Sequence, residues 1–314
     1  MSTATKTPKN GSTVKAAKPP VTPQSGAAPK TSKAPPTGLA GLIAKRAGNW
    51  DVEGPNPRLM EGQRHFWNFM MDHYFRMEMD GWERLPNDPS LLIGIHSGGS
   101  LTMDAWTVLF QWWRRFGEER TLHGTAHDVL MASPGLGDYF RALGALPPTV
   151  TAMKTAFEAG HDVVLWPGGE VDAMRTWRKR DEAVLGGRQG FVRFALRQQV
   201  PIVPIATVGG HDTVFVLSEG RFLAKHTGLG KRLRASTLPI ISGFPFPLAV
   251  EVLPMHLPLP AKIRTELLEP FHLDPDPEKA NDAAYVDEIY REVEAAIQAG
   301  MKRLAARRSF PIFG

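Results

Sequence analysis

The chain has 314 residues, no cysteine, and 37 lysines and arginines against 32 aspartates and glutamates. Without thiols there can be no disulfide framework, thiolate nucleophile or Cys-based metal site. Eight of the basic residues (Lys6, Lys9, Lys15, Lys18, Lys30, Lys33, Lys45 and Arg46) precede the first acid, Asp51, which leaves 29 basic against 32 acidic residues in the body and argues against a nucleic-acid-binding domain.

Residues 1–38 are rich in Pro, Ser, Thr, Ala and Lys and nearly without aliphatic anchors. Such a stretch cannot bury enough apolar surface to offset its ordering entropy, so it reads as a disordered basic tail. Its lysines can dwell near anionic lipid headgroups. Residues 39–314 read as one domain. No apolar run approaches the roughly 18 residues of a membrane span, and no signal-peptide core follows the N-terminus. The expectation is therefore a cytoplasmic protein.

From Met60 to Met79, Phe66, Trp67, Met70, Met71, Tyr74 and Phe75 crowd a helical pattern. That is more apolar than one buried face requires. The segment reads as core, or as a patch resting on lipid or lining an acyl-chain groove. A strand is expected within Tyr74–Glu83, then a turn at Leu85-Pro86-Asn87-Asp88.

The next stretch organises the rest. Leu91–Ile95 reads as a short buried strand, broken by His96-Ser97-Gly98-Gly99. A helix follows from Ser100 or Thr102, with Trp106, Leu109, Phe110 and Trp113 at helical spacing. A histidine between a strand end and a helix start sits on the rim of an open sheet, where such folds keep their ligand crevice. Asp104, near the start of that helix, can turn its carboxylate back to the imidazole. The arrangement suits a His-Asp pair in which the carboxylate fixes the tautomer of the base.

Leu122–Ala126 reads as a strand that places His123 and His127 about 13 Å apart, so no metal site is expected there. Helices follow at Asp138–Leu143 and Thr151–Ala159, with a short strand at Leu143–Leu146 between them and Gly160 as a C-terminal stop. Strand Val163–Trp166 runs into a second break, Pro167-Gly168-Gly169-Glu170, followed by Arg175. Gly190–Gln198 reads as a helix and Val200–Ala206 as an apolar strand with prolines near its ends. Beyond Gly210 the pattern loosens, with a strand at Leu248–Leu253 and a closing helix from about Pro277 to Ala306. Its last turns carry cations, as the helix dipole favours. Strands alternating with helices argue an α/β fold, a mostly parallel central sheet flanked by helices on both faces.

Several chemistries are excluded by what is missing. Neither Ser97 nor Ser100 sits in G-x-S-x-G, Gly135-Leu136-Gly137 lacks the third glycine of a dinucleotide fingerprint, and there is no P-loop. What remains is a histidine base without a nucleophile of its own, which suits direct attack by a substrate hydroxyl.

With both motifs in place, the sequence resembles the glycerolipid acyltransferase superfamily of 1-acylglycerol-3-phosphate acyltransferases. It is most similar to the branch with H-S-G-G and a later Asp, and with P-G-G-E where other members have P-E-G-T-R. The resemblance covers roughly Met70 to Gly210 and includes Gly187-Arg188-Gln189-Gly190-Phe191 and Val203-Pro204-Ile205-Ala206-Thr207. It departs from the family in having seven residues between His96 and Asp104 where four are usual. It also lacks the Glu-Gly-Thr-Arg turn whose Arg meets the acceptor phosphate; Arg175 could do that work, or the acceptor carries no phosphate.

The resemblance implies that His96 deprotonates a glycerolipid hydroxyl, which attacks the thioester of acyl-CoA or acyl-acyl carrier protein, a co-substrate rather than a bound cofactor. Asp104 orients His96. Ser97, Gly98, Gly99, Pro167, Gly168 and Gly169 are expected to contact substrate or oxyanion, Glu170 to fix its turn or bind acceptor polar groups, and Arg175 and Arg188 to meet anions. With a bilayer-borne acceptor and no spanning helix, peripheral membrane association follows. A hydrolase using the same His-Asp site, or a non-catalytic lipid-binding protein, are the alternative readings.

Overall fold

The computed structural model describes residues 41, 45–46, 48–227, 237–251 and 256–310. The tail expected at 1–38 lies outside them. Among the described residues, six strands form one sheet in the order β1 (Glu78–Asp80), β9 (Arg264–Leu267), β5 (Ile202–Val208), β2 (Leu91–Ile93), β4 (Asp162–Leu165), β3 (Leu122–Gly124). Neighbours are parallel except β5 and β9, which are antiparallel. A second, antiparallel sheet holds β6 (Phe215–Ser218), β7 (Ile240–Ser242) and β8 (Ala249–Val250).

The described helices include, in chain order, α1 (Pro57–Gly62), α2 (Arg64–Phe69), α3 (Met103–Phe116), α4 (Asp128–Ala132), α5 (Leu136–Ala142), α6 (Val150–Glu158), α7 (Glu170–Ala173), α8 (Gly190–Gln198), α9 (Arg221–His226) and α10 (Ala283–Ala306). None is long and apolar enough to cross a membrane.

The strand period of two decides which helix covers which face. Leu91 and Ile93 of β2 join Ile202, Ala206 and Val208 of β5 against α8 and α10, through Phe191, Phe194, Val293, Ile297 and Met301. Leu92, Val203 and Ile205 point the other way, onto Val108 and Trp112 of α3. Every residue of β2 and β5 is buried, which is why both read as continuous apolar runs rather than alternating ones.

Several boundaries differ from the sequence reading. The aromatic-rich segment is not one helix. α1 and α2 are followed by a wider turn over Met70–Tyr74, in which the Phe75 N–H reaches back to the Met70 carbonyl at 2.7 Å. Trp67, Met71 and Phe75 are buried, and Trp67 stacks on Phe110 of α3 with centroids 4.1 Å apart. Those three are core, and Phe66 and Phe69 are the exposed large apolar residues of the segment. Pro204 stands in the middle of β5, not near an end, its carbonyl accepting from Leu268 at 2.9 Å. The Leu143–Leu146 strand reduces to an isolated bridge between Thr125 and Leu146. The closing helix starts at Ala283, because Asp282 caps it through the N–H groups of Ala284 and Tyr285 and leaves Pro277–Asn281 as a 3-10 turn.

Candidate active site

Because β2, β4 and β5 run parallel, their carboxyl ends open on one edge, and each is followed at once by a glycine-containing turn. β2 leads into His96–Gly99, β4 into Pro167–Gly169, and β5 into Gly209-Gly210-His211-Asp212. A Cβ at Gly210 would lie 1.9 Å from Ser97 Oγ, and one at Gly168 would lie 2.4 Å from Asp172 Cβ. Gly210 is what lets the third turn close on the first, and Gly168 lets Asp172 fold back over its own turn.

His96 is partly exposed in a loop whose neighbours are buried. Its Nδ1 lies 3.3 Å from Asp104 Oδ2, while Asp104 Oδ1 accepts from the Ser97 N–H at 2.7 Å and from Ser97 Oγ at 3.3 Å. An ionised carboxylate only accepts, so Nδ1 carries the proton and Nε2 is the nitrogen left for substrate. The seven-residue spacing is bridged by a 3-10 turn over Gly99–Leu101 and by Thr102, whose backbone is left-handed (φ 43°). Thr102 occupies the cap position of α3 without a side-chain cap bond. A β-branched residue rarely adopts that conformation. Here it turns α3 so that Asp104, in the first turn, points back under His96. On the other face, the Trp166 ring stacks on His96 with centroids 4.8 Å apart and planes 9° apart.

Beneath this pair lies a buried ionic scaffold. Asp172 of α7 accepts from the backbone N–H of His96 and forms an ion pair with Arg175. Arg175 Nη1 also donates to the His96 carbonyl at 2.9 Å, and its Nε and Nη2 donate to the carbonyls of Lys179 and Arg180. Burial pushes the Asp172 carboxyl well above the usual carboxylate range, against the pull of Arg175. His211 is also buried, and burial holds its imidazole well below the ordinary value. In that neutral form its Nδ1 can receive the Gly98 N–H, at a long 3.5 Å.

This geometry bears on three expectations. Arg175 is 2% exposed with all three nitrogens engaged, so it holds the His96 backbone and cannot reach a substrate phosphate. Ser97 is buried and turned to Asp104, not to substrate. The Ser97 N–H is held by Asp104 at 2.7 Å, which turns it away from an oxyanion, whereas the Gly98 N–H has only the long contact to His211.

Gly99 and Gly169 have positive φ (65° and 56°), as their turns require. Pro167 presents its carbonyl to Nη1 of Arg188 at 2.8 Å, which puts Arg188, an exposed side chain, at the second turn beside Gly169. Glu170 opens α7 half-buried. Sequence reasoning misses Asp172, Trp166 and His211, whose only signal is adjacency to the glycine turns. His123 and His127 turn to different partners: His123 Nε2 meets His161 Nδ1 at 3.0 Å, and His127 caps α4.

A family model described as diacylglycerol acyltransferase matches residues 58–263, which contain every group named above. The chain belongs to the diacylglycerol acyltransferase family. It is thus an acyltransferase of the glycerolipid type. An uncharacterized protein of Mycobacterium tuberculosis is 27% identical over 281 residues, covering 88% of this chain and 76% of that one. A chicken (Gallus gallus) protein named "DGAT1/2-independent enzyme synthesizing storage lipids" is 26% identical over 262 residues, covering 82% of this acyltransferase and 70% of the relative. The crystal structure of a 1-acyl-sn-glycerophosphate (LPA) acyltransferase from Thermotoga maritima aligns with a TM-score of 0.48 and 18% identity, covering 85% of this chain and 89% of that chain.

Proposed function

We propose that this acyltransferase moves a fatty acyl group from a thioester, acyl-CoA or acyl-acyl carrier protein, to the free hydroxyl of a neutral glycerolipid such as mono- or diacylglycerol. The observation that carries the reading is the His96–Asp104 pair at the carboxyl edge of the sheet. His96 Nε2 takes the proton of the acceptor hydroxyl as its oxygen attacks the thioester carbonyl. The tetrahedral intermediate collapses, the C–S bond breaks, and the imidazolium returns the proton to the departing thiolate. Asp104 keeps Nδ1 protonated and stabilises the imidazolium meanwhile. Arg188, exposed at the second turn, is placed to meet acceptor or donor polar groups. The engagement of Arg175 in the scaffold favours an acceptor without phosphate.

Incubating the protein with labelled acyl-CoA and a panel of mono-, diacylglycerol and lysophosphatidic acid tests this. Transfer to the neutral acceptors at a rate well above that to lysophosphatidic acid is expected. Preferential transfer to lysophosphatidic acid would overturn the acceptor assignment, and release of free fatty acid alone would indicate hydrolysis.

A further inference from the structure

The second sheet carries a feature that the transfer chemistry does not use. The connection between β7 and β8 reads Gly243-Phe244-Pro245-Phe246-Pro247-Leu248, and no charged residue occurs from Gly243 to Val250. Phe244 is 60% exposed, Phe246 46% and Leu248 66%; Leu257, whose N–H donates to the Phe244 carbonyl at 2.7 Å, is 58% exposed. Four large apolar side chains thus stand in solvent on one projecting tip. Two of its six residues offer the solvent no backbone donor, and a third has its donor bonded. Pro245 and Pro247 have no N–H, and the Gly243 N–H is bonded to the Phe246 carbonyl at 3.1 Å.

The base of this connection packs against the same residues as the His96 loop. A Cβ at Gly243 would lie 3.5 Å from Val214 and 3.6 Å from His256; one at Gly99 would lie 3.2 Å and 3.4 Å from the same two residues. The root of the hairpin is bonded to the loop as well. Glu251, the residue after β8, accepts from Ser100 Oγ, and His256 Nδ1 is 3.0 Å from Glu251 Oε2.

We propose that this hairpin tip is the surface by which the enzyme docks on lipid, inserting Phe244, Phe246, Leu248 and Leu257 beside the His96 loop. An uncharged turn carrying exposed Phe and Leu side chains suits the headgroup–acyl boundary, where apolar side chains gain by burial. The proposal rests on the reading that the acceptor is a membrane glycerolipid. It moves the expected membrane contact from Phe66–Phe75, whose Trp67, Met71 and Phe75 are core, to the second sheet.

The test is co-sedimentation of the full chain with phosphatidylcholine–phosphatidylglycerol vesicles containing diacylglycerol, for the native protein, a Phe244→Ser/Phe246→Ser/Leu248→Ser variant and a Phe66→Ser/Phe69→Ser variant. The hairpin variant is expected to lose tenfold or more in vesicle partitioning and in turnover of vesicle-borne diacylglycerol, with turnover of a water-soluble short-chain acceptor unchanged. The α2 variant is expected to partition normally. Because the chain has no cysteine, Leu248→Cys can carry a single environment-sensitive fluorophore, whose emission should shift to the blue when vesicles are added. Unchanged partitioning of the hairpin variant, or no shift at Leu248→Cys, would overturn the proposal, as would failure of the native protein to bind vesicles. Transfer to the soluble acceptor in those cases would leave the proposed function standing. Loss of vesicle binding in the hairpin variant, together with no transfer by the native protein, would instead sustain the dock and reject the reaction.

Discussion

At the scale of single residues, the proposed site divides into groups assigned to meet substrate and groups that hold those groups still. His96→Ala removes the base and should lower transfer by about 10²–10⁴ with the fold intact, as general-base deletions do. Near-native turnover in a folded variant would refute the assignment. Asp104→Asn keeps the shape, but its amide cannot stabilise an imidazolium, so most activity should vanish while KM changes little. Steady-state kinetics on one neutral acceptor separates the two parameters. Arg175→Ala should behave differently. It strands Asp172 as a buried carboxyl beneath the His96 backbone. A loss of about 3–5 kcal/mol is expected, the usual effect of breaking a buried pair by removing one partner. Urea denaturation measures it, and the activity that remains should fall equally on phosphate-bearing and neutral acceptors.

At the scale of elements, α10 lies close against β5. A Cβ at Gly300 would come within 2.6 Å of Ala206 Cβ and 3.1 Å of Leu268. Gly300→Val must push the helix off the sheet and should cost about 1–3 kcal/mol by overpacking. Ala299→Val, one position along on the exposed side of the helix, should stay within about 0.5 kcal/mol. Helix propensity runs against that order, since Val is a better helix former than Gly and a poorer one than Ala, so a larger loss at Gly300 in urea reports packing. Elements with strong periodicity are legible in the sequence. The limits of α8 can be read there as they stand, since Phe191, Phe194 and Ala195 repeat at helical spacing and glycine opens the run. The Met60–Met79 segment is not legible in this way. Helical spacing there continues through a stretch where one extra residue per turn is inserted, and hydrophobic periodicity does not register that widening.

At the scale of the whole molecule, the edge strand β3 carries a pH response. His123 is fully buried, its Nδ1 donating to the Gly144 carbonyl at 2.7 Å and its Nε2 facing His161. Burial pulls its imidazole from 6.5 down to about 4. Between those values the unfolded chain binds a proton that the native state refuses, so stability present above about pH 6.5 is lost as pH falls towards 4. The full effect is on the order of 3 kcal/mol, at 1.36 kcal/mol per pH unit. Thermal unfolding from pH 7.5 to 4.5 should show the decline, and His123→Asn, which keeps the donor to Gly144 without a titrating ring, should flatten it.

The sequence by itself determined the α/β alternation, the apolar central strands and the two glycine breaks, because periodicity and turn chemistry are local properties of the chain. It also sufficed to single out His96 and Asp104, eight positions apart, where a short connection limits the ways a carboxylate can return. Tertiary structure alone decided what Arg175 does. Its charge and its place after the second turn suit an anion contact, yet α7 buries it under β2, where Asp172 and the His96 carbonyl claim its donors. The same holds for Asp172, Trp166 and His211, drawn to His96 from β4 and β5 by strand order rather than by spacing. A contact across parallel strands depends on register and on which face each chain end presents, and one sequence without its sheet does not encode either locally.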